Sequence, residues 1–168
     1  MIDYVLIRGP IGVGKTSVAK RFSNLLSLDC YPSFFIEFDR FRRELGIGEP
    51  TYLNKRVGTF LLVERMNQLI QKGSLPVVEG VFYEGNMNHL RRNITGLALL
   101  IKLMAPLDIC IERDQRRTYP RGVERVVPVW NSLQHTVVSE VSINTETRTI
   151  EEIVDDVYLH FKSVCSTS

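Results

Sequence analysis

Cysteine and histidine are scarce, three of each in 168 residues, and Cys30, Cys110 and Cys165 are far apart with no C-x-x-C spacing. That scarcity supports neither a zinc knuckle nor a disulfide framework and points to a reducing compartment. Long apolar runs are missing as well: the longest, Leu97 to Met104, is broken by Lys102 and is far short of a membrane span. The first nine residues lack the basic and then apolar order of a secretory signal, so a cytoplasmic chain with no membrane partner is expected. Neither charge sign dominates, since 21 Lys plus Arg face 19 Asp plus Glu for a formal net charge of +2. So mild an excess does not argue for general affinity toward nucleic acid or membranes. No Pro/Gly/Ser-rich linker, charge block or repeat divides the chain, and one domain over residues 1–168 is expected.

What is present is an alternation of short apolar runs with longer periodic segments. Tyr4 to Ile7, Phe34 to Phe38, Pro76 to Phe82, Leu97 to Met104 and Thr136 to Ile143 read as five strands. Lys15 to Leu28, Thr51 to Lys72, Pro106 to Arg117 and Thr149 to Val164 read as helices, the second with Gly73 as its stop. Strands alternating with helices of this length imply βαβ units, a parallel sheet and helices on both of its faces. The α/β fold class follows from the pattern before any motif is considered.

Between the first strand and the first helix stands Gly9-Pro10-Ile11-Gly12-Val13-Gly14-Lys15-Thr16, a full match to G-x-x-x-x-G-K-[ST]. Glycines let backbone N–H groups fold around an anion, and the helix that follows adds the positive end of its dipole. Lys15 then reaches the β- and γ-phosphates of a nucleoside triphosphate. Thr16 is the expected Mg2+ ligand, and Ser17 can bond the α-phosphate.

Three further features bear on what the loop serves. Asp39 follows directly on the second strand, at the rim where a parallel sheet gathers its ligands. It can accept the proton of an attacking hydroxyl, or cap the helix that Arg40 to Leu45 would form. Arg42, three residues on, could hold an anionic group of the acceptor. Glu79, near the end of the third strand, could hold a Mg2+ water or polarise the acceptor, and Gly80 would let substrate approach the backbone; a solvent-facing Glu is the alternative. Arg113 and Arg117 are four apart, hence on one helix face if the helix runs that far. Placed at the base of a lid over about residues 113–130, they would neutralise charge on a transferring phosphoryl group. Helix-surface arginines paired with Glu112 and Asp114 are the other reading.

At these residues the chain resembles the small P-loop kinase group that includes adenylylsulfate kinase, gluconate kinase, chloramphenicol phosphotransferase, zeta toxins and the kinase domain of polynucleotide kinase. The resemblance spans nearly the whole chain. It implies a P-loop NTPase three-layer sandwich with a five-stranded parallel sheet and a small Arg-rich lid. ATP and Mg2+ would be the ligands, with an acceptor region over about residues 39–60. It also implies an acceptor-side acid at Asp39, an acceptor-binding Arg42, a strand-three acid at Glu79, and the lid pattern C-x-x-R-x-x-x-R at Cys110, Arg113 and Arg117. Asn144 and Thr145 would lie beside the adenine, Asn144 standing where the group often has Asp. Nucleoside monophosphate kinases carry Asp-Gly-x-Pro-Arg at strand three, and Glu79-Gly80-Val81-Phe82-Tyr83 lacks its Pro and Arg.

The expected activity is ATP-dependent transfer of the γ-phosphoryl group to a hydroxyl of a small-molecule acceptor. A nucleoside or nucleotide kinase, a kinase of 5'-hydroxyl nucleic-acid ends, and an NTP-binding switch with slow hydrolysis are the alternatives. Trp130 either stacks on a substrate ring or packs the lid segment. Oligomeric state is not legible.

Overall fold

The computed structural model describes residues 1–48, 51–134 and 140–166. In chain order the elements are β1 (Tyr4–Arg8), α1 (Lys15–Leu28), β2 (Ser33–Glu37), α2 (Phe38–Glu44), α3 (Tyr52–Gln71) and β3 (Leu75–Gly80). They are followed by α4 (Glu84–Asn93), β4 (Ala98–Met104), α5 (Leu107–Gln115), α6 (Val123–Ser132), β5 (Glu140–Asn144) and α7 (Ile150–Ser166). The five strands form one parallel sheet in the order β2-β3-β1-β4-β5. Chain direction across the sheet reverses beside β1, so the carboxyl end of β1 is the switch point where such sheets open a crevice.

Alternation along the strands sorts side chains into two cores. Val5 and Ile7 face one layer with Val18, Phe22 and Leu26 of α1 and Ile153, Val157 and Phe161 of α7. Tyr4 and Leu6 face the other with Leu62, Met66 and Leu69 of α3 and Met87 and Leu90 of α4. A sheet buried on both sides explains why β1 and β3 read as unbroken apolar runs rather than as alternating ones.

Local chemistry sets several boundaries. Thr51 caps α3 by accepting from the Asn54 amide at 3.2 Å, and Gly73, at φ 75°, turns the chain after it. Thr149 and Glu152 form a reciprocal capping pair ahead of α7, with 2.7 and 3.2 Å bonds. The apolar positions of α3 do not all turn inward. Met66 and Leu69 are buried, whereas Leu53, Val57, Phe60 and Leu61 in its first half face solvent. The helix expected to reach Arg117 ends at Gln115, and α4 and α6 join the predicted elements. The expected strand from Thr136 is described from Glu140, its earlier residues lying outside the described ones.

Candidate active site

The Gly9–Thr16 turn leaves β1 and enters α1 in a conformation that the sequence makes possible. Gly12 and Gly14 sit at φ 84° and 96°, a region that side-chain-bearing residues avoid. A Cβ on Gly12 would lie 2.2 Å from the Cys110 carbonyl oxygen, so the turn is wedged against α5. The N-terminal turn of α1 therefore presents its unpaired amides to the crevice. Lys15 is buried, and its Nζ donates to the Pro10 carbonyl at 2.8 Å. Burial pushes the Lys15 ammonium below the usual lysine range, partly countered by Glu79. Thr16 and Ser17 are exposed at the start of the helix.

Opposite the turn, β3 delivers Glu79, whose Oε1 accepts from the Thr16 hydroxyl at 3.0 Å. Burial pushes the Glu79 carboxyl up to about 7; Lys15 and Thr16 pull it back, while Glu37 and Asp39 add to the rise. Glu37 aligns with Glu79 across the β2–β3 ladder, which accounts for its influence. A carboxyl whose pKa is raised by folding favours the native state where it is protonated. Its contribution is complete below pH 4.5 and is lost as pH rises through about 7. Ligand-free protein should accordingly lose stability between pH 5 and 8 in denaturant titrations, and Glu79→Gln should flatten that slope.

Asp39 lies in the first turn of α2 with its side chain 40% exposed. Burial pushes its carboxyl up, but Arg42, Arg121 and Lys55 outweigh that and hold it below the ordinary carboxylate range. Arg42 itself is 2% exposed and donates to Asp39 Oδ1 at 2.8 Å and to the Gly48 carbonyl at 3.3 Å. The Arg42 expected at the acceptor is buried here, its guanidinium over the Phe38 ring and bonded to Asp39, while its Nε has no partner among the described residues. Gly58 makes that possible, because a Cβ there would stand 2.5 Å from Arg42 Cδ. Arg40 pairs with Glu44, and Arg43 comes to 3.9 Å from Glu37. Gly80 lines the crevice, but the space left by its missing side chain is filled by Phe38 and Phe82, each 3.0 Å from the Cβ position. A side chain at that glycine would press on both rings.

Arg113 and Arg117 do not converge, which corrects the pairing expected of them. Arg113 donates to Thr145 Oγ1 at 3.0 Å, to the Thr145 carbonyl at 2.7 Å and to the Glu146 carbonyl at 3.1 Å. Buried Thr145 in turn donates to the Val13 carbonyl at 3.3 Å, so Arg113, Thr145 and the phosphate-loop turn form one linked set. Asn144 is exposed at the end of β5. Arg117 lies past the end of α5 and lines the crevice instead.

The segment carrying Arg117 is shaped by Asp114, which sequence reasoning treated only as a local partner. Its buried Oδ2 accepts from the Arg121 and Gly122 amides at 2.8 and 3.0 Å, closing the turn that returns the chain to the crevice. Removing it leaves two amides without an acceptor. Asp114→Ala should cost about 1–2 kcal/mol in thermal unfolding and open the 116–122 turn to proteases. Trp130 of α6 packs on the core, its indole donating to the Ala105 carbonyl at 2.9 Å.

The result is a cavity of about 300 Å3 lined by Lys15, Thr16, Glu37, Asp39, Lys55, Glu79, Arg117, Arg121 and Arg125, with Tyr83 at its edge. Arg121 reaches to 4.0 Å from Asp39 Oδ2. Lys55, Glu37, Tyr83, Arg121 and Arg125 were not singled out by motif. Arg121 and Arg125 do belong to an arginine cluster legible in the sequence, with Arg113, Arg116 and Arg117.

Comparison with solved structures decides the architecture. A gluconokinase from Sinorhizobium meliloti 1021 superposes with a TM-score of 0.77 at 19% identity, covering 98% of this chain and 94% of that one. The Mycobacterium tuberculosis APS kinase CysC, in complex with AMPPNP and APS, gives 0.75 at 17% identity over 95% and 96%. The fold is that of the small P-loop kinases. The tunicamycin resistance protein of Deinococcus radiodurans shares it, with a TM-score of 0.70 at 19% identity over 94% of each chain. The sequence matches no family model and no curated relative, so the likeness to these P-loop kinase folds rests on structure. No helix among the described residues is long and apolar enough to cross a membrane.

Proposed function

We propose that this chain is an ATP-dependent phosphotransferase that moves the γ-phosphoryl group to a hydroxyl of a small-molecule acceptor. The observation that carries the proposal is the meeting, in one crevice, of the phosphate-loop turn with an oriented carboxylate and several cations. A nucleotide switch needs the turn. It does not need Asp39, held by a buried arginine across the cavity from Lys15.

The residues fit a triphosphate and a divalent ion. The amides at the start of α1 and the Lys15 ammonium suit phosphate oxygens, and Arg113 with Thr145 marks the base end of the same turn. Thr16 and Glu79 place two hard oxygens side by side, a donor set suited to Mg2+, with Glu79 acting through a water. A divalent ion held by Thr16 and, through water, by Glu79 would supply neutralisation of phosphate charge.

The chain's own groups then do three things. Lys15, Arg117 and Arg121 stabilise charge on the equatorial oxygens as the bond from the γ-phosphorus to the β-bridging oxygen breaks. Asp39 orients the acceptor hydroxyl and takes its proton as the new O–P bond forms, and the nucleoside diphosphate leaves. A carboxylate held below its usual range is a weak base, but a loose transition state asks for the proton only late. The segment around residues 113–130, shaped by Asp114, excludes water from the crevice when it closes.

The test is transfer of label from γ-labelled ATP with Mg2+ into metabolite pools and 5'-hydroxyl oligonucleotides. A product in the metabolite pools supports the reading. Label only on oligonucleotide ends would replace it with a nucleic-acid kinase, and nucleotide binding with no acceptor-stimulated turnover would replace it with a switch.

A further inference from the structure

A second and larger cavity, about 590 Å3, opens between α3 and the start of α4 and shares Lys55 and Tyr83 with the crevice. Its remaining walls are Arg56, Thr59, Phe60, Gly85, Asn86 and His89. We propose that this cavity is the subsite for the distal part of the phosphate acceptor, and that this part is a planar, unsaturated group bearing a carboxylate or phosphate. The inference rests on the phosphotransferase reading for the word acceptor, and on the cavity alone for the chemistry of its ligand.

Charge comes first. Two cations, Lys55 and Arg56, line the cavity, and no acidic residue is among its walls. Arg56 is exposed and has no carboxylate partner among the described residues. An anion entering here therefore meets the Arg56 guanidinium, together with a Lys55 ammonium that also faces Asp39 of the adjoining crevice.

Shape comes second. Phe60 and His89 stand with ring centroids 4.7 Å apart and planes tilted by 38°. On the other side lies Tyr83, with Lys55 Nζ 4.4 Å from its ring centroid. A flat body can lie against these rings, while a saturated polyol would leave them wet. Phe60 is 60% exposed, so part of its ring surface is open to a ligand.

The walls are also fixed in place. Asn86 Oδ1 accepts from the Tyr83 amide at 3.2 Å, its Nδ2 donates to Thr59 Oγ1 at 3.3 Å, and Thr59 donates to the Lys55 carbonyl at 2.7 Å. Asn93 Nδ2 donates to the His89 carbonyl at 2.7 Å, which orients its amide so that the same nitrogen faces His89 Nδ1 at 3.3 Å. Nδ1 is then the acceptor and Nε2 carries the proton in the neutral ring. That Nε2 is buried and has no partner among the described residues, an unmet donor on a wall of the cavity. Because that atom is covered in this arrangement, a ligand oxygen would bond it only after the His89 ring turned toward the cavity.

The experiment is NMR titration of nucleotide-free full chain with phenyl phosphate and benzoate, compared with glycerol 3-phosphate and gluconate. It is run on the wild type, Arg56→Ala, Phe60→Ala and Lys15→Met. Arg56 and Phe60 face solvent, so their variants keep the fold. The aryl anions should bind about tenfold tighter than the aliphatic ones, and each of the two subsite variants should lose about fivefold. Lys15→Met, which removes a phosphate contact at the turn, should leave the binding of benzoate as it is in the wild type. Equal binding of aryl and aliphatic anions, or aryl binding indifferent to Phe60→Ala, overturns the proposal. Aryl binding here by a chain that never transfers phosphate would defeat the phosphotransferase reading and leave the cavity's chemistry standing. Transfer to an aliphatic polyol, undiminished in Arg56→Ala and Phe60→Ala, would do the reverse.

Discussion

Lys15→Met should lower phosphoryl transfer by about a thousandfold or more while the protein melts at or slightly above the wild-type temperature. The two halves of that expectation have separate causes. Charge on the transferring group needs a fixed cation in a site that excludes water, and no neighbouring cation shares the position of Lys15 beneath the turn. Stability is another matter, because the buried ammonium has one carbonyl partner, Pro10, and burial already works against its charge. Methionine fills nearly the same volume without that desolvation cost. Labelled-product formation and thermal melts on the same preparation check both halves. Retained transfer would remove the lysine from the chemistry, and a collapsed melt would make it a structural residue.

Asp39→Asn is expected to reduce acceptor phosphorylation about a hundredfold to a thousandfold with ATP affinity within about a factor of two. The amide keeps the shape and can still accept from Arg42, but it cannot take a proton or hold the acceptor hydroxyl as strongly. Loss of the charge facing a buried guanidinium will also cost stability. Because Asp39 is 40% exposed, solvent screening keeps that cost to about 1 kcal/mol. Single-turnover transfer alongside nucleotide titration separates the effects. Equal losses in both would place Asp39 in nucleotide binding and leave the reaction without its base.

Much of this molecule was legible in its sequence because the decisive signals are local. The βαβ rhythm, the phosphate-loop turn and the carboxylate after β2 each lie within a few consecutive residues, and periodicity reads such stretches directly. What escaped depends on contacts between distant elements. Arg42 reads as an acceptor-side cation, and its burial shows only once Gly58, sixteen positions on, lies over it. Arg113 and Arg117 share a helical phase, yet α5 stops at Gln115 and sends them apart, one to Thr145 and one to the crevice. Asp114 looks like an ion-pair partner, although its main bonds go to backbone amides seven and eight positions later. Lys55 and Tyr83 belong to no motif and gain meaning only because α3 and the β3–α4 connection face one another.

The contact between Gly12 and the backbone of Cys110 has a mechanical consequence. With no clearance between them, the turn and the first residues of α5 behave as a single rigid hinge-plate, and the Arg113–Thr145–Val13 chain bolts β5 to the same plate. The Arg121 and Gly122 amides are tied to Asp114 of that same helix, so on the proposed reading any tightening over the phosphates would fall to the arginine side chains at 117, 121 and 125, with the turn beneath them left in place.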